Sequence, residues 1–152
     1  MISPETLRRF SLFAGLAPEV FKDLAMLGDE ISLKAGEWLF REGDDADALY
    51  LVVKGSIDLK IALDQAGQRL EDLETIVEGE ALGWSAFVEP YRYTLSAIAA
   101  TDVRLARLDA KNLRNLMTQN PEIGYNLMCH VAQAIARRLN DLRVRFASIA
   151  GD

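Results

Sequence analysis

The sequence predicts a mainly β fold with flanking helices: a double-stranded β-helix (a jelly-roll-like β-roll) with N-terminal helices and a long C-terminal helix. Three observations predict it. Apolar and polar residues alternate in short runs between Asp29 and Leu108, the pattern of half-buried strands. Glycines at 36, 43, 55, 67 and 79 punctuate those runs where turns are wanted. Both ends of the chain keep a helical period instead. With 152 residues, half of them hydrophobic, the chain suits one domain, 1–152, with one sizeable core.

The elements follow in order. Residues 1–28 read as helices. Leu7, Phe10, Leu12 and Phe13 are apolar anchors before Gly15, and Val20, Phe21, Leu24, Ala25 and Leu27 recur at helical spacing after Pro18. Proline suits a first helical turn, and Gly28 suits the stop. Residues 29–108 read as the roll. Ile31 and Leu33, Trp38 and Phe40, Leu49, Leu51 and Val53, then Ile57, Leu59 and Ile61 mark strands with one face buried. Strand signals resume at Leu73–Val77 and through Thr94–Leu108, and many short strands at such spacing imply a roll or barrel. Residues 109–149 return to helix. Asp109 is an N-cap for Ala110–Thr118, and Asn120-Pro121 opens a second helix that runs to about Ser148.

That last helix carries a heptad. Tyr125, Ala132, Leu139 and Phe146 are one set, and Met128, Ile135, Leu142 and Ile149 the other. Every member is apolar or aromatic, which describes a two-helix seam. The expectation is a homodimer through Ile135, Leu139, Leu142 and Phe146, with Tyr125–Ala132 facing the roll. Packing of the whole stripe on the chain's own roll is the alternative. Arg138 and Arg145 take positions that flank such a seam.

Charge and composition exclude several classes. Residues 1–90 hold 8 basic and 18 acidic side chains, and residues 91–152 hold 9 basic and 5 acidic. An acidic body repels a nucleic-acid backbone. No apolar run reaches the roughly 18 residues of a membrane span, and the first ten residues lack the apolar centre of a secretory signal. Cys129 is the single cysteine, so an internal disulfide is impossible, and a cytoplasmic location is expected.

Three stretches carry a resemblance. They are Phe13-Ala14-Gly15-Leu16, Lys34-Ala35-Gly36-Glu37-Trp38-Leu39-Phe40-Arg41-Glu42-Gly43-Asp44, and Leu49-Tyr50-Leu51-Val52-Val53-Lys54-Gly55-Ser56-Ile57. In this order they resemble the cyclic-nucleotide-binding domains of the catabolite-activator and kinase-regulatory-subunit type, over nearly the whole chain. The resemblance implies a non-catalytic sensor with a phosphate-binding cassette. In that cassette a Gly-Glu pair binds the ribose and an arginine pairs the phosphate. Here the cassette falls at 79–94, and it is a variant like those of stand-alone members. Gly83 matches the family's glycine, Trp84 stands where the glutamate is expected, and Tyr93 stands where the arginine is expected, with Arg92 one residue early. An indole cannot accept a hydroxyl proton as a carboxylate does, and a neutral phenol cannot neutralise a phosphate.

The candidate ligand residues are therefore Gly83, Trp84, Ser85, Ala86, Arg92, Tyr93 and Thr94. Glu80 is a second Gly-Glu carboxylate, read as a turn residue. The base-contacting positions of the long helix fall near Leu142 and Arg143. Three readings stay open: retained cyclic AMP or cyclic GMP binding, another small anionic ligand or nucleotide, and a pocket filled by its own rings that serves a protein partner. No cofactor is required. The chain stops short of the helix-turn-helix of activator relatives, so no DNA binding by this chain alone is expected, and Ser148–Asp152 is compatible with the start of a linker. Metal enzymes built on β-rolls use several histidines, whereas His130, read as a surface residue, is the only one here. Cys129 is read as a small core residue.

Overall fold

The computed structural model describes residues 2–151; Met1 and Asp152, the outer ends of the expected domain and linker, lie outside them. Two short helices, α1 (Pro4–Leu7) and α2 (Pro18–Met26), flank a single 3-10 turn at Ser11–Phe13. Eight strands follow: β1 (Gly28–Leu33), β2 (Trp38–Phe40), β3 (Ala48–Lys54), β4 (Ser56–Ala62), β5 (Leu70–Val77), β6 (Ala81–Leu82), β7 (Ser96–Ala99) and β8 (Val103–Asp109). Helices α3 (Ala110–Gln119) and α4 (Pro121–Ala150) end the chain. The strands form two antiparallel four-stranded sheets, ordered β1-β8-β3-β6 and β2-β7-β4-β5. This is the β-roll with flanking helices that the sequence predicts. Among the described residues, no helix is long and apolar enough to cross a membrane.

Within the first sheet, β3 is apolar on both faces, unlike the one-sided strand expected. In β3, Leu49, Leu51 and Val53 pack against the helices with Phe13, Leu24, Leu113 and Leu127. The intervening Ala48, Tyr50 and Val52 face the roll interior with Ile57, Leu59 and Leu105. A strand buried on both sides shows no alternation of polarity, and β3 is buried from Ala48 to Val53. Gly28 also differs from expectation. It opens β1 rather than ending a helix, and a Cβ there would lie 2.4 Å from Ile2 and 2.7 Å from Leu108. Here side-chain ends fill the space a Cβ would take, and the backbone is not left-handed.

Asp109 caps α3 as expected, its carboxylate accepting the Asn112 N–H at 2.9 Å. Helix α4 departs from expectation in its first half. Its buried residues are Ile123, Leu127 and Val131, spaced by four on one face. Tyr125, Met128 and Ala132 are exposed, Met128 bordering a shallow groove with Phe87 and Met117. The whole heptad stripe therefore faces outward, with Leu139 66% and Phe146 72% exposed and Ile135 and Leu142 also in solvent. His130 is half-buried rather than on the surface, its Nδ1 2.8 Å from the Asn126 carbonyl oxygen, and Cys129 is half-buried rather than a core residue.

Candidate functional site

The cassette is built on β3. After β5 the chain turns at Gly79, and the Glu80 carboxylate accepts the Val77 N–H at 2.9 Å, closing that turn. β6 then pairs with β3, Leu82 opposite Tyr50. Gly83 has φ 90° and approaches the Ala48 carbonyl so closely that a Cβ would lie 3.1 Å from its oxygen. Left-handed backbone and tight contact together require glycine. It releases the chain into a 3-10 turn at Trp84–Phe87. Arg114 of α3 holds that turn from behind: its Nη1 donates to the Ala86 carbonyl at 2.7 Å, and its guanidinium lies 4.0 Å from the Tyr91 ring centre.

Tyr93 occupies the interior. Its ring stacks on Phe40 with centroids 3.7 Å apart and planes 9° apart. Its hydroxyl donates to the Ala48 carbonyl at 2.6 Å. The Tyr50 ring centre lies 6.1 Å from that of Phe40. The space left beside these rings is about 40 Å³. Pockets for small molecules hold roughly 300–1,000 Å³, and one water claims about 30 Å³. Gly83, Trp84, Ser85, Tyr93 and Thr94 all line this small cavity, as does Arg138 of α4. Ala86 is buried within the turn itself.

Arg92 does not line the cavity. It is 59% exposed, its Nη1 bonding the Gly43 carbonyl at 3.0 Å and lying 3.3 Å from an Asp45 carboxylate oxygen. Backbone pairing of Arg92 with Asp45 explains this: adjacent residues of an extended segment point to opposite sides, so an inward Tyr93 sends Arg92 outward. Leu142 and Arg143, where the base-contacting positions fall, are both exposed and line neither the small cavity nor the cleft beside the cassette. The α4 side chain that reaches the cassette is Arg138, whose Nε donates to Glu74 of β5 at 2.9 Å. Sequence reasoning missed it, reading it only as a seam flank. Trp84 and Arg138 also line a larger cleft of about 420 Å³ between α4 and β5, with His130, Arg137 and Asp141. Among the described residues, no three His, Cys, Asp or Glu side chains are placed to hold a metal.

Burial raises the pKa of Tyr93 well above the ordinary phenol value of 10.0, and the nearby Tyr50 adds to the effect. Burial raises Tyr50 as well, with Arg107 partly opposing. Both phenols thus stay neutral in the fold at a pH where the unfolded chain ionises them. Their contribution to stability is complete below the unfolded pKa and is lost as pH rises through the folded ones. Stability is expected to fall above about pH 10, by up to about 1.4 kcal/mol per pH unit for each tyrosine. Urea denaturation between pH 8 and 11 checks this, and Tyr93→Phe makes the slope shallower.

The cyclic nucleotide-binding domain profile matches residues 30–120. The chain is 28% identical over 139 residues to a CRP-like cAMP-activated global transcriptional regulator of Mycobacterium tuberculosis, covering 91% of this chain and 61% of that protein. It is 31% identical over 131 residues to the cyclic AMP receptor protein of Thermus thermophilus, covering 86% and 57%. The chain thus spans about three-fifths of the length of these curated relatives. Among solved structures, a candidate cyclic nucleotide-binding protein of Geobacter metallireducens aligns with TM-score 0.80 and 35% identity, over 91% of this chain and 99% of that one. The N-terminal domain of a Streptomyces coelicolor transcriptional regulator aligns with TM-score 0.68 and 32% identity, over 90% and 95%.

Proposed function

Because the chain belongs to the cyclic nucleotide-binding domain family, we propose that it is a non-catalytic regulatory module, homodimeric through α4, whose cassette takes neither cyclic AMP nor cyclic GMP. The observation that carries this reading is the Tyr93 ring stacked on Phe40, which leaves about 40 Å³. A nucleotide needs several times that volume. The two charged contacts that a cyclic nucleotide would use also have no counterpart at the matching positions, where Trp84 and Tyr93 stand and Arg92 is held at the outer rim. The outward apolar stripe of α4 supports the dimer, since a surface helix ordinarily turns its apolar face inward. The output is then the geometry of the paired helices, and its reader is a protein partner.

Calorimetric titration of purified, ligand-free protein with cyclic AMP and cyclic GMP tests the cassette reading. No heat at two temperatures and no change in melting temperature are expected. Micromolar binding of either nucleotide, about −8 kcal/mol, overturns the filled cassette and returns the module to the sensing role of its relatives.

A further inference from the structure

Beyond Val131, α4 places no buried side chain on the roll, and from Leu139 onward every described residue is exposed. What the distal half turns toward the roll is polar apart from the small Ala134: Gln133, Arg137, Arg138 and Asp141 line the cleft beside it. Among these only Arg138 makes a direct ion pair with the body, to Glu74, 64 residues away in sequence. Both partners are sheltered, at 25% and 34% exposure. Arg138 is also the one charged side chain on the wall of the cassette cavity among the described residues. Two facts thus meet in one guanidinium. It is the cation on the wall of the cassette cavity, and a carboxylate of the same chain already occupies it.

From this we propose that Arg138 is the anion-binding residue of this cassette, supplied by α4 in place of the missing cassette arginine, and that Glu74 holds it in reserve as an internal competitor. The inference rests on the filled-cassette reading, which restricts the ligand to an anion of a few heavy atoms, such as phosphate or a small carboxylate. Such an anion sits at the mouth where Trp84 and Arg138 border both the cavity and the cleft. Guanidinium suits it, because its fixed fork can pair two oxygens of a phosphate or a carboxylate. Binding breaks the Arg138–Glu74 pair, and with it the single ion pair between the distal half of α4 and the roll among the described residues. Anion occupancy therefore changes how the dimer helix is held.

The test uses inorganic phosphate at constant ionic strength. Trp84 is the reporter in a Trp38→Phe background, since these are the chain's two tryptophans. Glu74→Gln is expected to bind phosphate at least ten-fold more tightly than the parent. Arg138→Gln is expected to abolish binding, alone and combined with Glu74→Gln. Arg138→Lys keeps part of the affinity. The double reversal Glu74→Arg with Arg138→Glu checks folding, since it restores the ion pair while removing the response. Equal phosphate affinity with and without Glu74→Gln, absence of binding in both, or binding that survives in Glu74→Gln with Arg138→Gln, overturns the assignment. Cyclic AMP titrated into the parent separates the two ideas. Heat there sinks the filled-cassette reading, and the phosphate arms still decide the role of Arg138.

Discussion

Replacing Leu139 and Leu142 together with glutamate yields a folded monomer. Both side chains lie beyond the last residue that α4 buries against the roll, and both are exposed in the single chain. The charges therefore leave the fold unstrained, and the melting temperature at low concentration stays near that of the parent. In a paired helix the same positions fall in the seam with Ile135 and Phe146. Pairing then confines four carboxylates per dimer in an apolar seam that has arginines, Arg138 and Arg145, only along its flanks, at a cost of several kcal/mol. The dimer dissociation constant is expected to rise at least about a thousand-fold, or about 4 kcal/mol. Sedimentation equilibrium across a wide concentration range measures it. A parent protein that stays monomeric, or a dimer that survives both glutamates, places the interface elsewhere or nowhere.

Tyr93→Ala should be among the most destabilising single changes in the roll. It removes a fully packed ring and a hydroxyl that serves the Ala48 carbonyl. Large-to-small replacement of a buried aromatic costs roughly 3–5 kcal/mol. For a domain of this length that is a fall of about 10 °C or more in melting temperature. Tyr93→Phe keeps the ring and loses only the hydrogen bond, so a loss of about 1–2 kcal/mol is expected. Urea denaturation of both variants separates ring from hydroxyl. If the alanine variant loses less than the phenylalanine variant is expected to lose, the ring is not what fills the cassette.

The roll was legible because its signals are local. Alternating apolar residues and turn glycines state a strand and its end within a few positions, and Asp109 announces α3 the same way. Doubly buried β3 was harder. Leu49, Leu51 and Val53 stood out as one face, packed under the helices, while Ala48, Tyr50 and Val52 read as the other side of a one-faced strand, although the roll interior buries it. Helix α4 carries two apolar stripes, and the seven-residue repeat drew attention from Ile123, Leu127 and Val131, which dock it. At the cassette, the exchange of arginine for tyrosine was readable at position 93. That the ring would enter and reach Ala48, and that Arg92 would consequently turn out, depends on the strand's pleat in space. Arg138 and Glu74 are distant in sequence, and no local pattern joins them.

The pairing of β1 with β8, Gly28 opposite Leu108 through Leu33 opposite Val103, sets a condition on biosynthesis. The first sheet has no complete edge until Asp109 has left the ribosome, because β1 has no other strand neighbour. At roughly 5–20 residues per second, the nascent chain carries an unpaired β1 and the apolar face of β3 for seconds. Non-local pairing of this kind closes slowly. Nascent chains arrested before β8 should therefore be protease-sensitive and retained by chaperones, and should become resistant over a narrow window of lengths once β8 and α3 emerge together.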